Sequence, residues 1–146
     1  MFSLSAEPID VRELRDGMML ADCGGFSVFE GWVRNLNEGK IVQKLTYEAY
    51  GDLAILEAER IEKEACELFP FRQIRSVHRV GALEVGEVAV WIGVAAVHRK
   101  ESFGACRYVI DEIKKRVPIW KKEYFADGTE SWTRCDHCAG NYAHDH

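Results

Sequence analysis

The sequence predicts an α+β fold, with a mixed, mainly antiparallel sheet and helices packed against it. Three observations carry that expectation. Residues 52–69 and 101–117 repeat apolar side chains at spacings of three and four, the period of a helix buried along one side. Several shorter segments alternate, or run apolar throughout, as strands do. Short polar turns join several of those strands, which favours antiparallel neighbours.

The chain has 146 residues, enough for one domain with a real core, and 47% of them are hydrophobic, too many for a disordered chain. We assign residues 1–134 to a single domain and residues 135–146 to a polar tail. The net charge of −5 disfavours non-specific binding to nucleic acid or to an anionic membrane, so any anion site must be a local basic cluster. No apolar run is long enough to span a bilayer, and residues 1–10 lack the pattern of a signal peptide. A cytoplasmic protein is expected. The five cysteines, an odd and scattered set, do not form a disulfide framework.

Taken in order, residues 2–9 read as a short edge strand. Asp10 reads as a helix N-cap with Glu13 completing a capping box, and the helix is expected to run to about Leu20. Residues 26–34 read as a strand, with Phe26 and Val28 on one face and Ser27, Phe29 and Gly31 on the other. Gly31 marks a close approach to the backbone. Residues 35–40 form a polar turn, and residues 41–50 the next strand, paired with the first as a hairpin.

A helix then follows over residues 52–69, with Ala54, Ala58, Ile61, Ala65 and Leu68 as its buried stripe. Its charges, Glu57, Glu59, Glu62, Lys63 and Glu64, are expected on a solvated face. Pro70 ends it. Residues 73–80 form a strand, 81–86 a turn, and 87–97 a strand so apolar that both its faces must be covered.

The best-patterned helix spans residues 101–117, with Phe103, Cys106, Ile110, Ile113 and Val117 as its stripe and Lys114 at the stripe's border. Pro118 stops it. Residues 119–125 form a strand, Asp127-Gly128 a hairpin turn, and residues 131–134 the return strand. The four tryptophans are expected in the core.

Arg34, His98, Arg99, Lys114 and Lys121 each follow or end a regular element, so each is placed to reach a common rim. Arginine suits phosphate through its planar fork of donors, and lysine adds a point charge and, once deprotonated, a nucleophile. Cations gathered together lower one another's pKa and fit a lysine for acid, base or nucleophilic work. From spacing alone, two readings stand: a shared anion pocket, or surface charges paired with the many glutamates. His78-Arg79 repeats the His98-Arg99 dipeptide and reads as a structural polar pair. There is no Gly-rich phosphate loop. Cys135-x-x-Cys138, with His137, His144 and His146, is half of a zinc pattern without its second half. We expect incidental metal affinity there, and no metal or cofactor in the main site.

Five segments resemble, in order, the large subunit of molybdopterin synthase. They are Phe29-Glu30-Gly31-Trp32-Val33-Arg34, Leu45-Thr46-Tyr47-Glu48-Ala49-Tyr50, His78-Arg79-Val80-Gly81, Val97-His98-Arg99, and Ile110-Asp111-Glu112-Ile113-Lys114 running on to Pro118-Ile119-Trp120-Lys121-Lys122-Glu123. They spread over residues 26–132, nearly the whole domain. The resemblance implies an α/β hammerhead-like fold with an added antiparallel β subdomain. It implies a sulfurtransferase that converts cyclic pyranopterin monophosphate to molybdopterin, within molybdenum cofactor biosynthesis. The sulfur donor is a C-terminal Gly-Gly thiocarboxylate on a small ubiquitin-like subunit, and a homodimer carries two such subunits as a heterotetramer. By motif, Lys114 and Lys121 correspond to the catalytic lysines, and Arg34, His98 and Arg99 to the substrate pocket. Arg134 is the candidate for a C-terminal arginine, supplied to its own or the dimer mate's site. The cysteine- and histidine-bearing tail has no counterpart in the pattern. Two other readings share these motifs: a non-catalytic partner of a ubiquitin-like carrier, and a zinc-binding regulatory module run by the tail.

Overall fold

The computed structural model describes residues 1–134. β1 (Phe2–Ser5), β5 (Gln73–Arg79), β7 (Val88–Ala96) and β2 (Gly25–Trp32) form one sheet in the order β1-β5-β7-β2. β1 lies parallel to β5, and the other pairs are antiparallel. α2 (Gly51–Leu68) and α3 (Arg99–Arg116) pack on one face of this sheet. Ala58, Ile61 and Ala65 of α2 and Ala105, Val109 and Ile113 of α3 meet Ile74, Val90, Ile92 and Val94 there. α1 (Val11–Asp16) and the turn after it cover the other face, where Met18 packs on Trp91 and Ala95. The apolar run of β7 is therefore covered on both sides, as its composition requires.

The second sheet has the order β3-β4-β8-β9, from β3 (Leu36–Asn37), β4 (Lys40–Ala49), β8 (Ile119–Phe125) and β9 (Glu130–Arg134). A further strand, β6 (Gly81–Glu84), also pairs with β4. The α+β class and the antiparallel subdomain expected from the sequence are both present.

Several local expectations change. α1 follows the Asp10 cap, whose carboxylate accepts from the Glu13 amide at 3.1 Å, but it ends at Gly17 rather than Leu20. β2 and β4 are not a hairpin. β2 pairs with β7 and reaches Trp32 through an irregularity at Gly31, while Glu38 and Gly39, at φ of 51° and 80°, turn β3 back onto β4. A Cβ on Gly31 would lie 2.7 Å from Val90 Cγ1, so the close approach is internal packing. The segment read as a turn over residues 81–86 contains β6, which zips Gly81–Glu84 onto the middle of β4.

Two helix faces also differ. Glu62 is buried, not solvated; it pairs with the Met1 ammonium at 2.9 Å and accepts from Ser76 Oγ at 2.9 Å. Leu68 and Phe103 are exposed, and Ser102, Ala105 and Val109 fill the α3 interface instead. These small residues permit a close helix–sheet contact, and Ser27 and Ser102 hydrogen-bond within it. Of the tryptophans, Trp91 is in the core, Trp120 is half-buried, and Trp32 and Trp132 are exposed.

α2 and α3 are also joined by charge. Arg116 donates to Glu57, Glu64 and Glu112, with its Nη1 and Nη2 both on Glu64 at 2.6 and 3.0 Å. The Tyr108 hydroxyl donates to the same carboxylate at 2.8 Å. Arg116, and then Tyr108, hold the Glu64 carboxyl down at about 2 against an ordinary 4.5. The folded carboxylate takes up its proton less readily than the unfolded one. Its stabilisation is therefore complete above about pH 4.5 and is lost as pH falls towards 2. Thermal melts of the wild-type protein should fall through that acid window, and Glu64→Gln should flatten the fall.

Candidate active site

The end of α3 sets the site. Its last turn carries Lys114, Lys115 and Arg116; Pro118 cannot continue the helix, and β8 begins at Ile119. Strand alternation then fixes which side chains of β8 face inward. Ile119, Lys121 and Glu123 lie opposite Ala49, Tyr47 and Leu45 of β4, on the face that joins the core. Trp120 and Lys122 point the other way.

Lys121 is thereby drawn in, with its side chain 16% exposed and its Nζ 3.9 Å from Glu123 Oε2. Glu123 is buried and accepts from Asn37 Nδ2 at 2.6 Å. β3, through Asn37, thus anchors the carboxylate beside Lys121. Lys114 is half-buried and forms no ion pair among the described residues. That leaves its ammonium available to a ligand.

Behind the lysines lies His78, at the end of β5 and buried. Its Nδ1 is 2.8 Å from the Arg79 carbonyl oxygen, and its ring meets Tyr47 edge-to-face at 4.8 Å. Burial above all, and then the charge of Lys114, push its pKa down to about 4, while the Arg79 carbonyl acts in the opposite sense. His78 is neutral near neutral pH. Arg79 next to it is buried too, donating from Nη1 to Glu87 at 2.9 Å and from Nη2 to the Ala6 carbonyl at 3.3 Å. The Glu84 amide, and then Arg79, hold the Glu87 carboxyl below its ordinary range.

Lys114, Lys121, Tyr47, His78, Glu123 and Asn37 thus occupy the seam where the two sheets meet. Arg34 belongs to the same end of the molecule. It follows β2, whose last residues run beside the start of β7 and the end of β5. His98 and Arg99 do not belong there. They open α3, and fifteen residues of helix at about 1.5 Å each put Arg99 roughly 22 Å from Lys114. Arg134 is also apart, since it pairs in register with Trp120, with its guanidinium 5.3 Å from that ring, on the face opposite Lys121. A cleft of about 530 Å³ under α1 and a recess of about 230 Å³ between Trp120 and Trp132 lie away from the lysines.

Of the residues expected from sequence, the structure brings together Lys114 and Lys121 and puts Arg34 at their end. Tyr47, Glu123 and Asn37 were not singled out, while His78-Arg79 is the buried polar pair that the sequence suggests. The alternation Lys121-Lys122-Glu123 could have shown that Glu123 shares the face of Lys121. The ring contact of His78 with Tyr47 depends on the second sheet, which no local pattern reveals. No group of three or more metal-ligating side chains occurs among the described residues. Cys135, His137, Cys138, His144 and His146 lie outside them.

Lys121 beside the buried Glu123, Lys114 with no ion pair among the described residues, and the neutral buried imidazole of His78 give this seam a local positive charge suited to an anion. The comparisons place the chain within a family. Residues 4–116 match the model described as MoaE protein, and the chain belongs to that family. It is 44% identical over 130 residues to the molybdopterin synthase catalytic subunit of Pyrococcus abyssi, covering 89% of this chain and 87% of that one. The corresponding subunit of Halalkalibacterium halodurans is 40% identical over 131 residues, covering 90% and 83%. The crystal structure of molybdopterin synthase from Staphylococcus aureus superposes with a TM-score of 0.85 at 36% identity, covering 90% of this chain and 96% of that one.

Glu123→Ala should destabilise the fold by about 1–3 kcal/mol, because it strands the Asn37 amide and the Lys121 ammonium. Urea unfolding measures the loss, and Glu123→Gln, which keeps an acceptor for Asn37, should recover part of it.

Proposed function

We propose that this protein is the catalytic subunit of a molybdopterin synthase, a sulfurtransferase of molybdenum cofactor biosynthesis. It converts cyclic pyranopterin monophosphate to molybdopterin with two sulfurs taken from the thiocarboxylate of a small ubiquitin-like subunit. The observation that carries this reading is the half-buried Lys114, without an ion pair among the described residues, and the inward-facing Lys121 held by Glu123 in a chain of this family.

The substrate is a phosphate ester and the sulfur donor a thiocarboxylate, both anionic. Two ammonium groups at one place offset their repulsion and hold them in reacting distance. Lys114, with no carboxylate of its own, acts as the acid/base or covalent group while sulfur is transferred. Lys121, held by Glu123, steadies the second charge. Arg34 offers its guanidinium fork to the phosphate. The chain works as a homodimer with a small subunit on each copy, forming a heterotetramer. His98, Arg99 and Arg134 serve the pocket from the dimer mate, a role that suits their distance from Lys114 in their own chain. No helix of the described residues is long and apolar enough to cross a membrane, and we place the activity in the cytoplasm.

Reconstitution tests the reading. Purified protein, thiocarboxylated small subunit and cyclic pyranopterin monophosphate should give dithiolene product, and Lys114→Ala should lose at least about 100-fold in rate with its fold intact. Tight binding of the small subunit without product would make the protein a non-catalytic partner. A second experiment tests the shared pocket. Lys114→Ala and Arg99→Ala, each inactive alone, should regain activity when mixed and allowed to exchange subunits. Mixtures that stay inactive would remove Arg99 from the partner's site.

A further inference from the structure

Lys121 and Glu123 are buried side by side without the close bond that such a pair usually forms. Their side chains are 16% and 5% exposed, and Nζ stands 3.9 Å from Oε2. A hydrogen bond from an ammonium to a carboxylate is about 2.7–2.9 Å long. Attraction between charges falls only as the inverse of distance, so Glu123 still offsets the charge of Lys121. The N–H donors of Nζ, however, bond to nothing among the described residues.

Asn37 accounts for the gap. Its Nδ2 donates to Oε1, the other carboxylate oxygen, at 2.6 Å. β4 lies between β3 and β8 in the sheet, so the bond is made by the two side chains alone. Its donor end is fixed. Asn37 pairs with Lys40 across the turn at Glu38 and Gly39, and the Val42 amide donates to the Asn35 carbonyl at 2.9 Å. β3 therefore cannot follow Glu123 towards Lys121. Arg34 lies just before Asn37 in the same segment.

Resting on the sulfur-transfer reading above, we propose that Asn37 is a positioning residue: it draws Glu123 back by one oxygen, so that the carboxylate neutralises Lys121 while the ammonium keeps its donors for an anion. Without that bond, Glu123 closes on Lys121, and the ammonium is spent in a buried ion pair. The same bond ties the segment that carries the Arg34 guanidinium to the strand that carries Lys121, and so sets both against one ligand.

The test compares Asn37→Ala, which removes the donor, with Asn37→Ser, which keeps one on a shorter stem. Titration of the full chain with inorganic phosphate, followed by NMR of the lysine ammonium groups, should show affinity down at least about tenfold in Asn37→Ala and partly recovered in Asn37→Ser. In dithiolene assays kcat/KM should fall by a similar factor. The same spectra read the contact directly. A coupling across a hydrogen bond from Lys121 Nζ to the Glu123 carboxylate should be absent in wild type and appear in Asn37→Ala. Unchanged phosphate affinity in Asn37→Ala, or equal losses in both variants that track melting temperature, would overturn the proposal. So would that coupling in the wild-type protein, a result that decides the matter even if Asn37→Ala does not fold. If the wild-type protein forms no product, the sulfur-transfer reading fails, while the phosphate titration and the coupling still judge Asn37.

Discussion

The Arg79–Glu87 pair is the contact on which the arrangement of the two sheets depends. Arg79 ends β5, and its guanidinium is buried where the chain leaves the first sheet for the second. It holds Glu87 at one nitrogen and the Ala6 carbonyl at another, and the Val80 amide donates to the Ser5 carbonyl beside it. Glu87 in turn accepts from the Glu84 amide at the end of β6. A buried charge is tolerated only with such partners, so the geometry admits little slack. β6 therefore leaves the seam in one direction, pairs with β4 in one register, and β4 carries β8 with Lys121.

That chain of dependence explains what could be read from the sequence and what could not. The helices were legible because their apolar period is local, and β7 because a run of nine strand residues with no polar member has to be covered twice. Lys114 and Lys121 stood out because a proline separates a helix end from a strand start. Which strands pair is a different matter. Residues 26–34 and 41–50 are neighbours in sequence, and a hairpin between them satisfies every local rule. It loses to β7, with which β2 pairs from Gly25 to Trp32. The same competition moved Glu62 inside. A carboxylate in a charged helix run reads as solvated until Ser76 of β5 and the Met1 ammonium just before β1 are brought against it.

The residues proposed to bind the anions divide along the same lines. The seam collects Lys114, Lys121 and Arg34, while the start of α3 carries His98 and Arg99. Gly25 is packed there so closely that a Cβ would come 2.9 Å from the Arg99 amide nitrogen. That contact fixes the start of the helix as firmly as Pro118 fixes its end. A rigid helix cannot bring its own two ends to one ligand. A pocket that uses both sets must draw them from two chains.

The last turn of α3 shows how one lysine is kept available. Three consecutive basic residues sit where the helix carbonyls favour positive charge. Successive residues turn by about 100°, so they cannot all face the same way. Arg116 is taken up by Glu57, Glu64 and Glu112 on the side of α2, and Lys115 lies 3.6 Å from Glu112. Lys114 faces the seam, where the side chain behind it is a neutral histidine and not a carboxylate. Had Glu112 and Lys114 exchanged places, the acid would stand in the seam and an incoming anion would meet repulsion. Glu57 and Glu64 of α2, together with Glu112 of α3, thus neutralise Arg116 and Lys115 and leave Lys114 as the member of that turn with no ion pair among the described residues.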